Sequence, residues 1–150
     1  MMKFKIWDKH NKQFLEPMAV FFGEEDTVWK VTAKKYGDNA LTDGWYDLQG
    51  QDLAQIQFLR YTGLKVRGTL DILEGSIFQY TKQPKYLLDD FVGQVVWMAQ
   101  YACFGYIVKG KINSFPTAFS EHDELETDIL NHIRIIGNVF ENPELMGVAV

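Results

Sequence analysis

The chain has 150 residues, 47% hydrophobic and 15% aromatic, which is enough for a packed core and too apolar for a disordered segment. A formal charge of −5 and an isoelectric point near 5.1 favour solubility and speak against a general nucleic-acid binder. Cys103 is the only cysteine, so no internal disulfide forms, and no window approaches the roughly 18 uninterrupted apolar residues of a membrane span.

Lys3 and Lys5 are not followed by the apolar run of a signal peptide, so a cytoplasmic protein is expected. The length suits a single domain over residues 1–150, with at most a small N-terminal lobe. Charge is unevenly spread. Residues 1–36 hold seven lysines against Asp8, Glu16, Glu24, Glu25 and Asp26, whereas residues 119–150 hold seven acids against Arg134 alone. Two solvated faces account for such asymmetry, and it also offers a complement between subunits.

In chain order, Phe4-Lys5-Ile6-Trp7 alternates, Asp8 to Lys12 is a polar turn, and Phe14-Leu15 with Met18 to Phe22 completes an opening hairpin interrupted by Pro17. Gly23-Glu24-Glu25-Asp26 is a turn. Thr27 to Tyr36 places Val28, Lys30, Thr32 and Lys34 on one face and Trp29, Val31 and Ala33 on the other, a strand whose lysines point mainly to water. Leu41 to Gln51 reads as loop. Ile56 to Thr62 reads as a strand ending at Gly63, preceded by a short helix if Asp52 and Gln55 cap one, and Leu64 to Leu73 as a connection. Gly75 reads as the tight turn into a strand at Ser76 to Tyr80, and Thr81 to Asp90 as a longer loop. Phe91 to Met98 and Ala102 to Val108 form the best antiparallel pair, Lys109-Gly110-Lys111 a turn, and Ile112 to Phe119, with Pro116, an edge or irregular segment. Glu121 to Asp128 is a solvated acidic loop or one weak helix capped by Ser120.

Ile133 to Leu145 closes the chain. Its β-branched run reads as a largely buried, central strand stopped by Asn142-Pro143, where Asn142 is placed to cap one helical turn with Pro143 in its first position. About eight short strands with turns at near-regular spacing predict a mainly β fold: a small antiparallel barrel or sandwich with little helix.

Five stretches taken together resemble the YopX family of bacteriophage and prophage proteins. They are Phe4-Lys5-Ile6-Trp7-Asp8, Arg60-Tyr61-Thr62-Gly63-Leu64-Lys65, Glu74-Gly75-Ser76-Ile77, Gly93-Gln94-Val95-Val96-Trp97 and Ile136 through Leu145. Residues 9–55 and 99–132 match poorly, and Ser76 stands where the family pattern usually has Asp. The resemblance implies a β-rich, SH3-like barrel, a phage origin and oligomerisation. It implies no activity.

The residues offer little catalytic chemistry. His122, Asp123, Glu124, Glu126, Asp128 and His132 are the metal-ligating types nearest one another, but the histidines lie ten positions apart with no cysteine near and no glycine for a calcium turn. Cys103 sits among Tyr101, Ala102, Phe104 and Tyr106, apolar neighbours that suit a structural thiol. Asp89-Asp90, with Lys82 and Lys85 nearby, reads as an exposed pair. No phosphate-binding glycine pattern occurs. No catalytic residue, metal or cofactor is therefore expected. Two partner or nucleic-acid surfaces stand out: Lys30, Lys34 and Lys35 with Trp29, where one strand face would hold lysines for phosphate contact, and Arg60 with Tyr61 beside Gly63. The expectation is a non-enzymatic, oligomerising interaction module that engages copies of itself and a phage or host protein. The alternative is a weak nucleic-acid-binding accessory protein in phage replication or transcription.

Overall fold

A computed structural model describes residues 4–35, 45–84, 88–111, 116–119 and 126–147. The chain divides into two compact units, Met1–Arg60 and Tyr61–Val150. Both are built from antiparallel strands. Helix among the described residues amounts to α1 (Glu126–Asn131) and short 3-10 segments, chiefly at Glu24–Asp26, Gly50–Gln55 and Pro143–Met146.

The first unit holds β1 (Phe4–Asp8), β2 (Gln13–Phe22), β3 (Val28–Lys35), β4 (Tyr46–Gln49) and the opening half of β5 (Ile56–Val66). Its ladders run in the order β4-β3-β2-β1-β5. Alternation selects the core. Ile6 on β1 lies opposite Leu15 on one side and Phe58 on the other, while Val20 faces Val31. Ile6, Leu15, Val31 and Ala33 are fully buried, and Ile56 joins them. On β3 their neighbours Lys30, Thr32 and Lys34 turn outward, as the two-residue period requires, whereas on β1 Trp7, next to Ile6, is buried as well. Pro17, which cannot donate to a ladder, sits where the β2–β3 register shifts between Pro17 and Ala19, leaving Met18 as the extra residue. The strand runs on through the proline instead of breaking there.

The second unit has β6 (Leu70–Leu73) paired to the far half of β5, and a sheet of β7 (Ser76–Tyr80), β8 (Phe91–Met98), β9 (Cys103–Val108), β10 (Thr117–Ala118) and β11 (Ile133–Asn138). The order is β10-β9-β8-β7-β11. Its core gathers Val66, Ile72, Phe78, Tyr80, Val95, Tyr106, Phe119, Ile129 and Ile133. Phe78 is at its heart, with ring centroids 5.7 Å from Phe91 and 5.6 Å from Tyr106.

Several expectations are corrected. The last strand is not central: β11 pairs with β7 at the end of the sheet order, and β8 takes the middle. Only Ile133 of its isoleucines is fully buried; a bulge between Ile135 and Gly137 leaves Ile136 outside the ladder. The 3-10 turn at Pro143–Met146 does begin with the proline, but the Asn142 side chain does not cap it. Its carboxamide oxygen accepts the Asn138 N–H instead (3.4 Å). Residues 46–49, read as loop, form a strand against Lys30–Ala33. β5 does not stop at Gly63, which takes φ +81° within it, and the supposed connection to Leu73 contains β6. The expected β8–β9 pair does form, antiparallel and unbroken from Gly93 to Met98, although the β2–β3 ladder, with two register shifts, runs longer. Neither sheet closes into a barrel among the described residues.

Candidate interaction surface

The β3 residues singled out in the sequence do share a strand, but the structure divides them. Lys30 and Lys34 project to one face, and each meets a carboxylate across the ladder: Lys30 Nζ lies 3.5 Å from Asp47 Oδ1, and Lys34 Nζ 3.7 Å from Glu16 Oε2. Both ion pairs are partly solvated and contribute little to stability. They do place negative charge beside each lysine, the opposite of what a phosphate track requires. Lys35, at the far end of β3, is exposed and sits opposite Leu15.

Trp29 belongs to a different feature. The β2–β3 ladder shifts between Phe21 and Phe22, pairing Phe21 with Lys30 and Phe22 with Val28, so Trp29 is the bulged residue. A bulge re-aims a side chain, and Trp29 is 49% exposed although its strand parity matches buried Val31. Its ring lies 5.8 Å from that of Phe21, and Lys30 Nζ sits 5.2 Å from the Phe21 centroid. Phe22 is 61% exposed. The turn between the strands carries Glu24, Glu25 and Asp26, all exposed. The tip of this hairpin is thus an open aromatic cluster edged by three carboxylates.

The opposite end of β2 has the reverse character. The β1–β2 turn exposes Lys9, His10 and Lys12. Asp8, only 5% exposed, organises it: Oδ1 accepts the N–H groups of His10 (3.0 Å) and Asn11 (3.2 Å), while Oδ2 accepts Asn11 Nδ2 (2.8 Å). Burial alone would raise the Asp8 pKa, but these bonds, with a weaker one from Gln13, lower it below its ordinary value. Tyr46 is exposed beside the turn and accepts Gln13 Nε2 through its hydroxyl (3.3 Å). Sequence reading singled out Trp29 with the β3 lysines but missed the two turns, because it weighed charge over whole segments and carried no signal for the bulge that turns Trp29 outward.

Arg60 and Tyr61 fall on either side of the division, Arg60 closing the first unit opposite Phe4 and Tyr61 opening the second opposite Leu73. Both are half-buried. In the second unit a hollow of about 630 Å³ is lined by Phe91, Tyr106 and Val108 together with Asp89, Asp90, Lys109 and Lys111. The adjacent acids are tied down: Asp89 Oδ1 pairs with Lys82 Nζ at 3.0 Å, raising the lysine pKa, and Asp90 accepts the Lys82 N–H. A smaller hollow of about 350 Å³ places Cys103 among Trp97, Phe104 and Phe119, with no acid or histidine among its described lining residues.

Of the acidic run, His122, Asp123 and Glu124 lie outside the described residues, as do the Glu126 and Asp128 side chains; His132 is half-buried at the end of α1. Among the described residues no three His, Cys, Asp or Glu side chains gather around one point. No described helix is long and apolar enough to cross a membrane.

Residues 3–147 match the family model described as YopX protein. The chain belongs to the YopX family. Protein EF1440 from Enterococcus faecalis is a similar solved structure, with 20% identity over 97% of this chain and 98% of that one, and a TM-score of 0.56. At that identity the likeness concerns fold alone. No curated protein matches this YopX chain.

Proposed function

We propose that this YopX-family chain is a non-enzymatic module of bacteriophage or prophage origin that assembles with copies of itself in the bacterial cytoplasm and presents a surface to a phage or host protein. The observation that carries the reading is the hairpin tip, where Phe21, Phe22 and Trp29 stand open to solvent. Large aromatics held outward by a bulge are costly to leave wet, and such patches mark contact surfaces.

The alternative, a weak nucleic-acid-binding accessory protein, draws on Trp29 and Lys30 standing side by side, as stacking and phosphate contact would require. It is disfavoured by the carboxylates beside Lys30 and Lys34 and by the acidic tip. Size exclusion with light scattering over a concentration series tests the first reading. A mass that is a multiple of 17.4 kDa is expected; a monomer at every concentration would overturn self-assembly. Single-stranded DNA that binds and is released between about 0.05 and about 0.5 M salt would favour the alternative.

A further inference from the structure

We infer that copies of this chain join head to tail through the two ends of the first unit, the acidic aromatic tip of one copy docking on the basic β1–β2 turn of the next. The inference rests on the self-assembly reading above and names its surface.

The two surfaces lie at opposite ends of one strand. β2 begins directly after the turn bearing Lys9, His10 and Lys12 and ends directly before Glu24, Glu25 and Asp26. Ten strand residues separate them by about 30 Å, so one copy cannot satisfy its own tip with its own basic turn. A second copy can, because every group the tip lacks is present at the other end. Lys9 and Lys12 supply the counter-charge for three carboxylates with no base in their own turn, and a lysine ammonium over the open faces of Trp29 or Phe22 makes a cation–π contact. Lys5 over Phe14 at 5.0 Å and Lys30 over Phe21 show the unit already using that pairing internally. Exposed Tyr46, beside the basic turn, gives the aromatics an apolar partner.

Such a contact joins two different patches, so it is heterologous and leaves an open tip and an open basic turn on every incomplete assembly. It closes only into a ring, or continues as a filament. Aromatic contact supplies most of the affinity, while opposite charge selects the end that docks.

Charge reversal at each end, followed by mixing, tests this. One variant carries Glu24→Lys and Glu25→Lys, the other Lys9→Glu and Lys12→Glu; all four positions are exposed, and unchanged circular dichroism confirms folding. Each variant alone meets like charge at its own contact, so its association midpoint should rise at least about tenfold in concentration. In an equimolar mixture the two variants alternate and each contact between them is again opposite in charge, so association should return, with the wild-type mass when the wild-type ring has an even number of subunits and as open or even-numbered assemblies when it is odd. Phe22→Ser with Trp29→Ser should weaken assembly while circular dichroism shows the fold retained. If wild type assembles but the reversed variants assemble equally well, or mixing recovers nothing, this docking is wrong and self-assembly stands on another surface. A monomeric wild type would sink both.

Discussion

Phe78 and Gly93 face each other across the β7–β8 ladder, and together they set a quantitative test of the second unit's core. Phe78 is fully buried, and its ring lies over the glycine: a Cβ added at position 93 would stand 2.6 Å from Phe78 Cζ and 3.0 Å from Cε1. The ring has nowhere to retreat, with Phe91, Tyr106 and Phe119 packed round it. Gly93→Ala alone should therefore cost ~1–3 kcal/mol by overpacking, and Phe78→Ala alone ~3–5 kcal/mol through lost transfer energy and the cavity left behind. In the double variant the methyl group added at position 93 enters space the ring has vacated, so the combined cost should fall short of the sum by ~1–3 kcal/mol. Urea unfolding followed by circular dichroism reads all corners of the cycle. Should Phe78→Ala prove too unstable, given a total stability of ~5–15 kcal/mol, Phe78→Leu also withdraws the ring from the glycine and serves in its place. Additivity within ~0.5 kcal/mol, or a neutral Gly93→Ala, would refute the packing described.

Ile133→Ala should cost ~2–5 kcal/mol, and Ile136→Ala clearly less because that side chain is half-buried at a bulge; equal costs in urea unfolding would count against the assigned core face. Asp8→Ala should cost ~1–3 kcal/mol by freeing the donors of the basic turn. Because the folded Asp8 pKa lies below its unfolded value of 3.8, its contribution is complete above that value and fades as pH falls through the folded pKa. The urea-midpoint gap between wild type and Asp8→Asn should thus shrink as pH drops from ~5 towards ~2, and a gap that widens on acidification would show the sign to be wrong.

Alternation is a sound guide wherever one strand face is buried. β3 and β8 are legible because Val31 with Ala33 and Gly93 with Val95 mark one inward face, while β1 and β7, which bury adjacent residues (Ile6 with Trp7, Ile77 with Phe78), are legible as short apolar runs bounded by turns. It fails where a strand buries almost nothing. β4 packs only Leu48 against the core, and β6 buries Ile72 alone, with Leu70 exposed, so neither carries a period to detect. Gly63 misleads in another way. A glycine marks a stop when the chain must turn, but here the register irregularity between Tyr61 and Lys65 absorbs its positive φ and the ladder resumes. The β-branched run of β11 predicts burial, yet burial does not fix a central place in the sheet. A strand at the end of the order can also be covered, and Ile133 joins Ile129 of α1 in the core. The surface is the least legible part, since no pattern in Phe21-Phe22 announces that a bulge will turn Trp29 outward beside them.

The segments that resemble the YopX family explain why the resemblance brought fold and not function. Three of them, far apart in the chain, meet at Gly75. Its N–H donates to the Val95 carbonyl (2.9 Å), and its own carbonyl accepts the Val139 N–H (2.9 Å). With φ +86° it takes a conformation that L side chains rarely adopt, and a Cβ there would lie 2.6 Å from the Phe140 ring. Glu74-Gly75-Ser76-Ile77, Gly93 to Trp97 and Ile136 to Leu145 thus constrain one another through backbone bonds and a ring laid over a glycine. Those requirements are steric, met by any chain that folds this way whatever it binds. The open hairpin tip and the basic turn lie outside those three segments, and packing leaves Phe22, Lys9 and Lys12 exposed there. A pattern imposed by packing identifies the sheets of this protein. What the protein does has to be sought on the surface that packing leaves alone.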